Sequence, residues 1–344
     1  MPVSVCVTIV THNSLRFISR CLETVLAQDY SPLEVIVVDN ASTDGGWEAL
    51  SRWDGQIRLL RNAVNTGFSA AQNQAIGLSR SDWVLTLNPD VLLEPDFVSR
   101  LVEAGETDSS VGTVCGRLRA LERDLSFPAR PRLDSTGLYF SPSMRHFDRG
   151  WNEPDTGQFA EREYVFGASA AAALYRRAMI ADASLDDGFF DPDFFAYRED
   201  ADVAWRAQLL GWRCLYTPDA LGYHVRSVRP GSRREIPPLI NMHSVKNRFL
   251  MRIKNTTGDL YRRHWLAATV RDAFVIGGCL FTEPASLAAF WSIGRCLGRT
   301  LAKRRQIMAR KKVDDEYLAA WFAPRPPAWT GLEPALSVPT HQQP

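Results

Sequence analysis

Short apolar runs alternate with helix-forming segments through the first hundred residues, and this alternation constrains the fold more than any other feature. The predicted strands are residues 3–10, 33–38, 57–60 and 83–87, and the predicted helices between them include residues 15–26 and 69–78. Strands that alternate with helices in this way form parallel sheets covered by helices on both faces. We therefore predict an α/β fold with a mostly parallel, doubly wound sheet.

The regularity ends beyond a further predicted strand at residues 111–118. Residues 120–163 are rich in Pro, Gly, Asp and Arg and show no period. A structureless stretch of that length inside a compact domain is usually a functional loop or a lid. The predicted elements that follow are an apolar segment at residues 164–175, a helix from Glu199 to Gly211 and a strand at residues 212–217.

Composition excludes several classes of protein. The 344 residues carry a net charge of +1, which argues against a dedicated nucleic-acid binder. The six cysteines are scattered without a C-x-x-C pair, which predicts reduced core thiols in a cytosolic protein. No secretory signal and no apolar run of membrane-spanning length is visible, so we expect the protein to stay where it is made.

The last hundred residues have a different character. From about residue 237 the chain predicts amphipathic helices, with apolar segments at residues 270–281 and 285–297 and an acid-free basic run at residues 299–312. Apolar helices beside a basic run are typical of an element that lies on an anionic membrane surface. A helical cap packed on the domain, with a solvated charged face, would give the same pattern. The tail from residue 324 is proline-rich and is predicted to be disordered.

Five residues mark the predicted strand-to-helix junctions, where α/β sheets bind ligands. They are Thr11, Asp39, Asp44, Gly67 and Asn88. Asp39 follows the second strand, the usual place for an acid that recognises a nucleotide. The N–H groups that open the helix at residue 69 could meet phosphate. The first turn, T-H-N-S, contains no G-x-G-x-x-G, which weakens a dinucleotide-cofactor interpretation.

The fourth strand stops abruptly at Asn88-Pro89-Asp90, because proline cannot donate to a sheet. Asp90 is thereby presented at the strand's carboxyl end, where it could hold Mg²⁺ or Mn²⁺ bound chiefly through substrate phosphates. His224 could add an imidazole nitrogen, which would favour Mn²⁺. The alternatives are a turn aspartate after a core strand and a structural histidine.

Glu199 and Asp200 open a predicted helix. Acids in a first turn stabilise the helix dipole, and this role alone would explain them. The functional alternative makes one of them a general base that points into the ligand crevice of the sheet.

Six motifs and a histidine occur in a fixed order: VTIVTHNS, VIVVDNASTDGG, NTGFSAAQN, WVLTLNPDV, GASAA, FFAYREDADVAWRAQLLGW and then His224. The series resembles the family 2 glycosyltransferases of the GT-A fold, particularly the bacterial rhamnosyltransferase-like branch. The resemblance spans residues 3–226, and the helical remainder resembles the family's variable C-terminal extension much more loosely.

The resemblance implies a domain organisation. Residues 1–235 would form a GT-A catalytic domain, with a Rossmann-like nucleotide-sugar half at residues 1–118 and an acceptor half at residues 119–235. A helical, basic and membrane-associating extension at residues 236–323 and a disordered tail at residues 324–344 would follow.

The resemblance also implies roles for matching residues. Asp39 would bind the pyrimidine base of a nucleotide-sugar, Asp200 would be the catalytic base beside Glu199, and His224 would join Asp90 at the metal. The implied nucleotide-sugar set is Thr11, Asn13, Asp39, Asn40, Asp44, Asn65, Gly67, Asn73, Asn88 and Asp90. The implied acceptor side is Gly167, Ala168 and Arg198, together with residues 120–163.

One departure separates this chain from the family pattern. Asn88 stands where the family's metal-binding D-x-D has its first acid, so only Asp90 can offer a carboxylate. Asn88 can still donate a hydrogen bond to a ribose hydroxyl. The N-P-D form is familiar in the rhamnosyltransferase-like branch, which favours a deoxyhexose donor of that kind.

The resemblance therefore implies an inverting glycosyltransferase that uses a nucleoside-diphosphate sugar, with dTDP-L-rhamnose as the leading donor and Mg²⁺ or Mn²⁺ as cofactor. The implied acceptor is a saccharide or a polyprenyl-diphosphate-linked saccharide of cell-wall or O-antigen assembly. The implied location is the cytoplasm, peripheral on the inner face of the cytoplasmic membrane.

Two other classes remain open. A nucleotidyltransferase would also use a doubly wound sheet and a metal, but normally shows a glycine- and basic-rich loop after the first strand, which residues 11–14 lack. A non-catalytic nucleotide-sugar sensor would need no base, and donor turnover separates it from a transferase.

Overall fold

The computed structural model describes residues 2–226 and 237–323, and its elements confirm the predicted alternation of strands and helices. In chain order the strands are β1 (Val5–Thr11), β2 (Leu33–Asp39), β3 (Arg58–Arg61), β4 (Trp83–Leu87), β5 (Val91–Leu93), β6 (Val111–Ala120), β7 (Leu133–Ser135), β8 (Leu138–Phe140), β9 (His146–Asp148), β10 (Glu163–Val165), β11 (Ala172–Arg176) and β12 (Arg213–His224). The helices are α1 (Leu15–Leu26), α2 (Gly46–Leu50), α3 (Phe68–Leu78), α4 (Phe97–Gly105), α5 (Arg177–Ala183), α6 (Glu199–Leu209), α7 (Pro238–Asn255), α8 (Gly258–Phe281), α9 (Ala288–Ala309) and α10 (Asp315–Ala320).

One mixed sheet forms the centre of the molecule, with the strand order β10-β12-β6-β11-β4-β1-β2-β3. Strands β4, β1, β2 and β3 are parallel to one another, whereas β11 runs antiparallel between β4 and β6. β1 and β4 are buried along their whole length, as expected for strands covered by helices on both faces. The predicted α/β class is confirmed. The parallel half brings the carboxyl ends of β1, β2 and β4 to one edge of the sheet.

The expectation of a structureless stretch at residues 120–163 is wrong in part. Strands β7, β8 and β9 lie inside it, and β10 begins at its end. β8 and β9 form a separate hairpin, stabilised by Tyr139 stacking on Phe147 with ring centroids 5.1 Å apart. Strands of three residues are too short to give a recognisable period of two, so the sequence pattern did not reveal them.

Two further boundaries differ from the prediction. β12 extends to His224 instead of ending at residue 217, because its pairing with β6 resumes at Leu221 after an irregularity that contains Pro218. The apolar segment predicted at residues 164–175 contains the end of β10 and most of β11, and Gly167 and Ala168 lie between these two strands. Pro218 lies where the pairing of β12 with β6 is interrupted, but the strand continues beyond it.

The C-terminal helices share a core with the sheet domain. Leu250, Trp321 and Phe322 belong to one buried cluster with Phe140 and Trp205 of the preceding region. Phe322 lies with its ring centroid 5.0 Å from that of Trp205 and 5.2 Å from that of Phe140. The predicted division at residue 235 stays a prediction, but the two parts are packed together through a continuous apolar core.

Buried ion pairs also join the two parts. The Lys254 ammonium of α7 is fully buried and contacts carboxylates of Asp191 and Asp202, the latter at 2.9 Å. Lys303 of α9 lies 2.5 Å from Asp191. Both lysines come from the helical extension and both acids from the sheet domain. These ion pairs therefore orient the helical extension more specifically than apolar contacts alone would.

We expect Lys254→Met to destabilise the protein by about 3 kcal/mol, because two buried carboxylates would lose a cation. The thermal midpoint should fall by about 4 °C, measured by differential scanning fluorimetry. Lys311→Met is the matched control, since Lys311 makes a more exposed pair with Asp315 at 2.9 Å and should cost less than about 1 kcal/mol. Equal losses in the two variants would show that the buried cluster stabilises no more than a surface pair.

The structure also bears on two predictions about the kind of protein, the state of its cysteines and the presence of a membrane-spanning helix. All six cysteines are buried and free, as expected for core thiols. Among the described residues, no helix combines the length and the low polarity needed to cross a bilayer. The predicted disordered tail lies outside the described residues.

Candidate active site

Thr11 and Asp39 are direct neighbours in the β1–β2 register at the carboxyl edge of the parallel strands, where a ligand crevice is expected. Both side chains are almost fully buried, and Thr11 Oγ1 and Asp39 Oδ1 have no hydrogen-bond partner among the described residues. A buried polar atom without a partner costs about 1–3 kcal/mol. The crevice is therefore chemically incomplete, and hydrogen-bonding groups of a ligand would complete it.

The rim of this crevice is a network of amides. Asn40 donates to Asn65 Oδ1 at 2.9 Å and accepts from Thr66 N–H at 3.1 Å, while Asn13 accepts from Thr43 N–H at 2.8 Å. Asn40 and Asn65 thus bind the loop after β2 to the loop before α3, and Asn13 binds the loop after β1 to the loop after β2. These predicted nucleotide-sugar residues are brought together, and their visible contacts hold the rim in shape.

Asp44 and Asn73 have structural contacts that the sequence did not predict. Asp44 accepts from the N–H groups of Leu15 at 2.8 Å and Gly46 at 2.9 Å, so it caps the start of α1, where the side chain of the N-terminal Ser14 makes no cap bond. Asn73 exchanges two hydrogen bonds with the backbone of Phe190 and does not join the crevice network.

Gly67 is required by close packing against Phe195. Its φ is +84°, and a Cβ there would stand 2.6 Å from both the ring and the carbonyl oxygen of Phe195. The Phe195 carbonyl accepts from the Ser69 N–H at 3.1 Å. The prediction that the N–H groups opening α3 are available to phosphate is therefore wrong for Ser69 in this structure.

The loop before α6 is strained. Phe195, Tyr197 and Arg198 all have positive φ, and Ala196 N–H donates to the Phe194 carbonyl at 2.8 Å in a three-residue γ-turn. Such conformations cost of the order of 1–3 kcal/mol each and persist only where the surroundings hold them.

Asn247 of α7 supplies that hold. Its buried amide nitrogen lies 2.7–2.9 Å from the carbonyl oxygens of Phe194, Ala196 and Tyr197. The helical extension therefore fixes the direction in which the first turn of α6 presents its acids.

Asp200 and Glu199 open α6 in different environments. Asp200 accepts from the Ala170 N–H at 3.4 Å and from the Ala201 N–H at 2.7 Å, while Glu199 is buried and its Oε2 has no partner among the described atoms. Burial and the charge of Asp148 raise the pKa of Asp200 to about 6. Burial and the charge of Asp200 raise the pKa of Glu199 to about 8. At neutral pH Asp200 is the ionised member, which is the state that a general base needs.

Asp90 and His224 are brought together by the pairing of β12 with β5, in which His224 lies opposite Val91. His224 Nε2 lies 3.4 Å from Asp90 Oδ1, and His224 Nδ1 lies 2.7 Å from Asp134 Oδ2. Burial alone would lower the pKa of His224, but the carboxylates of Asp134 and Asp90 raise it to about 10.

This pair fits a divalent cation. Two neighbouring ligands of an octahedral ion at about 2.1 Å stand about 3 Å apart, close to the observed separation. Asp134 engages Nδ1 and so directs Nε2 toward Asp90, the carboxylate–histidine arrangement that accompanies most metal-bound histidines. Two protein ligands leave further positions for diphosphate oxygens. Asp90 and His224 could therefore hold Mg²⁺ or Mn²⁺.

A second acidic group, Asp187, Asp191 and Asp193, has oxygen atoms close enough together for a metal. Lys303 Nζ already lies 2.6, 2.5 and 3.0 Å from one oxygen of each. The ammonium therefore takes the place that a cation would need. We assign this cluster to structural stabilisation.

A chain of ion pairs leads from the Asp90–His224 pair toward Asp200. Arg226 Nε lies 2.7 Å from Asp134 Oδ1, and Arg226 Nη1 lies 2.8 Å from Asp148 Oδ2. The charges of Asp148 and Arg226 both act on Asp200. The candidate metal pair and the candidate base thus belong to one electrostatic unit.

A cavity of about 930 Å³ opens beside this unit. Asp148, Arg198 and Arg226 form part of its wall, together with the aromatic rings of Tyr139 and Trp151. His146, also in the wall, is held neutral because burial and four neighbouring arginines, Arg198 foremost, lower its pKa well below the ordinary value. The cavity therefore combines stacking surfaces with arginine side chains, alongside the acids Asp148, Glu153 and Glu163.

Comparison with known proteins identifies the family. The sequence model of Glycosyl transferase family 2 matches residues 6–182, which is more than half of the chain. The chain belongs to this family. A relative from Mycobacterium tuberculosis, N-acetylglucosaminyl-diphospho-decaprenol L-rhamnosyltransferase, is 26% identical over 246 residues, which cover 65% of this chain and 77% of the relative.

Two solved structures share the fold of this family 2 glycosyltransferase. The mannosyltransferase PcManGT from Pyrobaculum calidifontis, in complex with GDP-Man and Mn²⁺, has a TM-score of 0.51 at 19% identity, covering 91% of this chain and 84% of that one. GalNAc-T7 with UDP, GalNAc and Mn²⁺ has a TM-score of 0.56 at 13% identity, covering 73% of this chain and 48% of that one. The predicted GT-A fold with a helical C-terminal part is confirmed.

Sequence reasoning missed four residues of the site in this glycosyltransferase. Asp134, Asp148 and Arg226 form the ion-pair chain, and Asn247 holds the loop before α6. Asp134 and Asp148 lie in the stretch predicted to lack structure. Arg226 follows His224 by two residues, just beyond the end of β12, and this closeness in sequence was the one local signal that could have pointed to it.

The predicted acceptor-side residues are placed differently from one another. Arg198 lines the cavity, but it donates to the Ser244 carbonyl at 3.0 Å and contacts His146 at 3.1 Å. Gly167 and Ala168 are buried beneath α6, where a Cβ on Gly167 would stand 2.2 Å from the Cβ of Ala204. Their small size allows α6 to pack closely on the segment between β10 and β11, and this close packing shapes the site.

We expect Asp134→Asn to weaken Mn²⁺ binding by about 10–100-fold, because His224 would lose the carboxylate that orients it. Manganese titration of donor turnover gives the apparent affinity, and saturating metal should restore most of kcat. Asp155→Asn is the matched control, since Asp155 also pairs with an arginine, Arg119 at 2.6 Å, away from His224. An unchanged manganese requirement in Asp134→Asn would contradict the orienting role.

Proposed function

We propose that this protein is an inverting glycosyltransferase that moves a sugar from a nucleoside-diphosphate donor to a hydroxyl of a saccharide acceptor. The observation that carries the proposal is one electrostatic unit at the sheet edge, in which Asp148 and Arg226 link an ionisable Asp200 to the Asp90–His224 pair beside a large cavity. Family membership supports the reaction class.

The donor would enter the crevice at the carboxyl ends of β1, β2 and β4. Asp39 Oδ1 would accept a hydrogen bond from the nucleoside, and the Thr11 hydroxyl would donate one to it or accept one from it, which gives their unpartnered atoms a role. Asp90 and His224 would hold Mg²⁺ or Mn²⁺ against the diphosphate. When bound, that ion neutralises the charge that develops on the departing nucleoside diphosphate.

Asp200 would act on the acceptor. The acceptor hydroxyl gives its proton to an Asp200 carboxylate oxygen as its own oxygen forms a bond to the anomeric carbon. The bond from that carbon to the diphosphate oxygen breaks on the opposite face, and the electron pair leaves with the nucleoside diphosphate. One displacement inverts the anomeric configuration, and no covalent enzyme intermediate is formed.

The cavity would bind the acceptor. Aromatic walls such as Tyr139 and Trp151 suit sugar faces, and the arginines that keep His146 neutral suit an anionic group such as a diphosphate. The relative from Mycobacterium tuberculosis is named for an N-acetylglucosaminyl-diphospho-decaprenol acceptor. We propose a polyprenyl-diphosphate-linked saccharide of bacterial cell-surface polysaccharide synthesis as acceptor.

For the donor we propose dTDP-L-rhamnose. Two observations support it: the L-rhamnosyltransferase relative, and the N-P-D sequence at Asn88-Pro89-Asp90 in place of two acids. The proposed division of labour follows the predicted halves, with the donor on residues 1–118 and the acceptor on residues 119–235.

The test is a donor panel assayed with Mn²⁺ and a short-chain prenyl-diphosphate N-acetylglucosamine acceptor. We expect transfer from dTDP-L-rhamnose and little from UDP-N-acetylglucosamine, UDP-galactose or GDP-mannose, with product anomers assigned by NMR. Transfer from another donor alone would overturn the rhamnose proposal. Donor binding in calorimetry without transfer or hydrolysis would overturn the enzyme proposal in favour of a sensor.

A further inference from the structure

The end of the α8–α9 hairpin exposes large apolar side chains. Phe281 is 86% exposed, Trp291 73% and Phe274 72%. Of the seventeen strongly exposed large apolar residues in the described chain, twelve lie between residues 261 and 301. Exposed apolar residues scattered singly are ordinary, but a concentrated patch marks an interaction surface.

The exposed residues on α8 form one stripe. Val270, Phe274 and Phe281 follow one another at helical spacings of four and seven residues, so they share a face. From Phe274 to Phe281 the stripe is about 10 Å long. Trp291 continues it on the first turn of α9, beyond the short 3₁₀ turn at Pro284–Leu287.

The opposite face of the hairpin is fully packed. Val275, Cys279 and Ala289 are buried against Val245 of α7. The ring of Phe290 lies 5.7 Å from that of Phe249. The hairpin is therefore folded without any partner, and its outward apolar face is additional to the core it already has.

The charge around this patch is positive. Residues 259–316 contain eleven Lys and Arg against six Asp and Glu, which gives this segment a net charge of +5. Asp259 pairs with Arg262 and Arg263, Asp315 pairs with Lys311, and Asp272 is engaged by Arg248 at 3.3 Å and by Arg252 at 2.5 Å. Arg295 is exposed one turn beyond Trp291 on the same face, and it makes no ion pair with any described residue.

The exposed positive charge does not lie on the basic run that the sequence analysis singled out. The predicted basic run at residues 299–312 is largely engaged inside the protein: Lys303 by three acids, Arg304 by the carbonyls of Ile253 and Thr256, Arg310 by those of Asp182 and Ser184, and Lys312 by Asp182. The helical-cap alternative therefore describes that run. Within the helical extension, only the end of the hairpin remains a candidate for contact with an anionic membrane.

Helix α7 lies between the hairpin and the cavity wall. Arg198, at the start of α6, donates to Ser244 of α7, and the next residue, Val245, packs on the hairpin. One helix thickness, about 10 Å, therefore separates the cavity wall from the packed face of the hairpin, and the outward apolar face lies about one further helix thickness away.

We propose that the end of the α8–α9 hairpin inserts Phe274, Phe281 and Trp291 into the surface of an anionic lipid bilayer, on the cytoplasmic face of the cell membrane. The inference rests on the proposed function, because a lipid-linked acceptor would then reach the cavity from the same surface. Aromatic and aliphatic residues next to arginine suit the headgroup boundary of anionic lipid. A second copy would bring the same positive face against itself, which disfavours self-association.

The test is sedimentation of the full chain with vesicles of equal parts phosphatidylglycerol and phosphatidylcholine, compared with phosphatidylcholine alone. We expect binding to the anionic vesicles that falls by about ten-fold or more in F281S/W291S, because both side chains would leave the interface. Arg295→Glu should lower binding and its salt sensitivity. Phe127→Ser is the matched control, since Phe127 is 65% exposed outside the hairpin.

Transfer to a short-chain, water-soluble acceptor separates this inference from the proposed function. F281S/W291S should keep wild-type turnover on that acceptor and lose it on acceptor embedded in vesicles. Wild-type transfer without vesicle binding would overturn the membrane inference and leave the function standing. Vesicle binding without transfer from any donor would overturn the function alone. A concentration-dependent dimer that F281S/W291S abolishes would assign the patch to a second copy and overturn the inference.

Discussion

Asp200→Asn is expected to lower kcat by about 10²–10⁴-fold, the usual contribution of a positioned general base. The amide keeps the shape and can still accept the Ala170 N–H, but it cannot take the acceptor proton. Donor affinity should change little, because Asp200 is proposed to act on the acceptor and not on the donor. The measurement is kcat and donor Kd for the purified variant.

Glu199→Gln is the matched control for Asp200→Asn. Burial and the neighbouring Asp200 charge raise the pKa of Glu199 to about 8, so Glu199 holds its proton at neutral pH and a neutral amide replaces a neutral acid. We expect kcat within about ten-fold of wild type, well below the loss expected for the base itself. A larger loss in Glu199→Gln than in Asp200→Asn would exchange the two roles.

The pH dependence follows from the same acid. Burial and Asp148 raise the pKa of Asp200 to about 6, so the wild-type kcat should be level above that pH and fall ten-fold for each unit below it. Asp200→Asn should lose this acid limb. A wild-type profile that stays level down to pH 5 would contradict the assignment.

As pH rises from about 4 to 6, the stability of the folded protein should fall while kcat rises. The folded protein holds the Asp200 proton more tightly than the unfolded chain, whose ordinary pKa is 3.8, so the folded state loses stability as pH rises from about 4 to 6. Asp200→Asn removes that penalty, which is at most about 3 kcal/mol. We expect its thermal midpoint at pH 7.5 to rise by a few degrees, and the gain to vanish near pH 4.

Individual strands and helices were predictable, because short sequence patterns determine them. β1, β2 and β4 are continuous apolar runs, and α3 follows a glycine at a junction; each was predicted to within about two residues. Motif order pointed to Asp200 and to Asp90 with His224, and their roles stay predictions. The approach of His224 to Asp90 depends on the pairing of β12 with β5, which no local pattern encodes.

What escaped prediction depends on contacts between distant parts of the chain. Asp134 lies 90 residues from the histidine that it orients, inside a stretch without a period. The basic run at residues 299–312 looked like a surface for lipid because its partners, Asp182 and the acids at positions 187–193, lie more than a hundred residues away. A local charge pattern shows the sign of a segment, and only the tertiary structure shows what has neutralised it.

Asp90→Asn should abolish most metal-dependent transfer, with kcat falling by about 10²–10³-fold, the loss typical when one preorganised electrostatic group is removed from a leaving-group site. The effect should be larger than in a site with two acids, because Asn88 leaves Asp90 as the sole carboxylate of its motif. Chelation of the wild-type enzyme with EDTA should reproduce the loss, and added Mn²⁺ should reverse it. The measurement is donor turnover against Mn²⁺ concentration, with metal affinity from calorimetry.

Asp187→Asn decides between the two acidic groups. Asp187 is the most exposed member of the cluster around Lys303, so its replacement should leave metal affinity and kcat near wild type. If the metal were bound there, Asp187→Asn would raise the Mn²⁺ requirement and Asp90→Asn would not. The expected order follows from charge balance: Lys303 already supplies the cation for the three aspartates, whereas the Asp90–His224 pair obtains one from His224 only by holding a proton. Metal binding to His224 must therefore release that proton, and the calorimetric heat of Mn²⁺ binding at neutral pH should depend on the ionisation enthalpy of the buffer. A buffer-independent heat would place the ion away from His224.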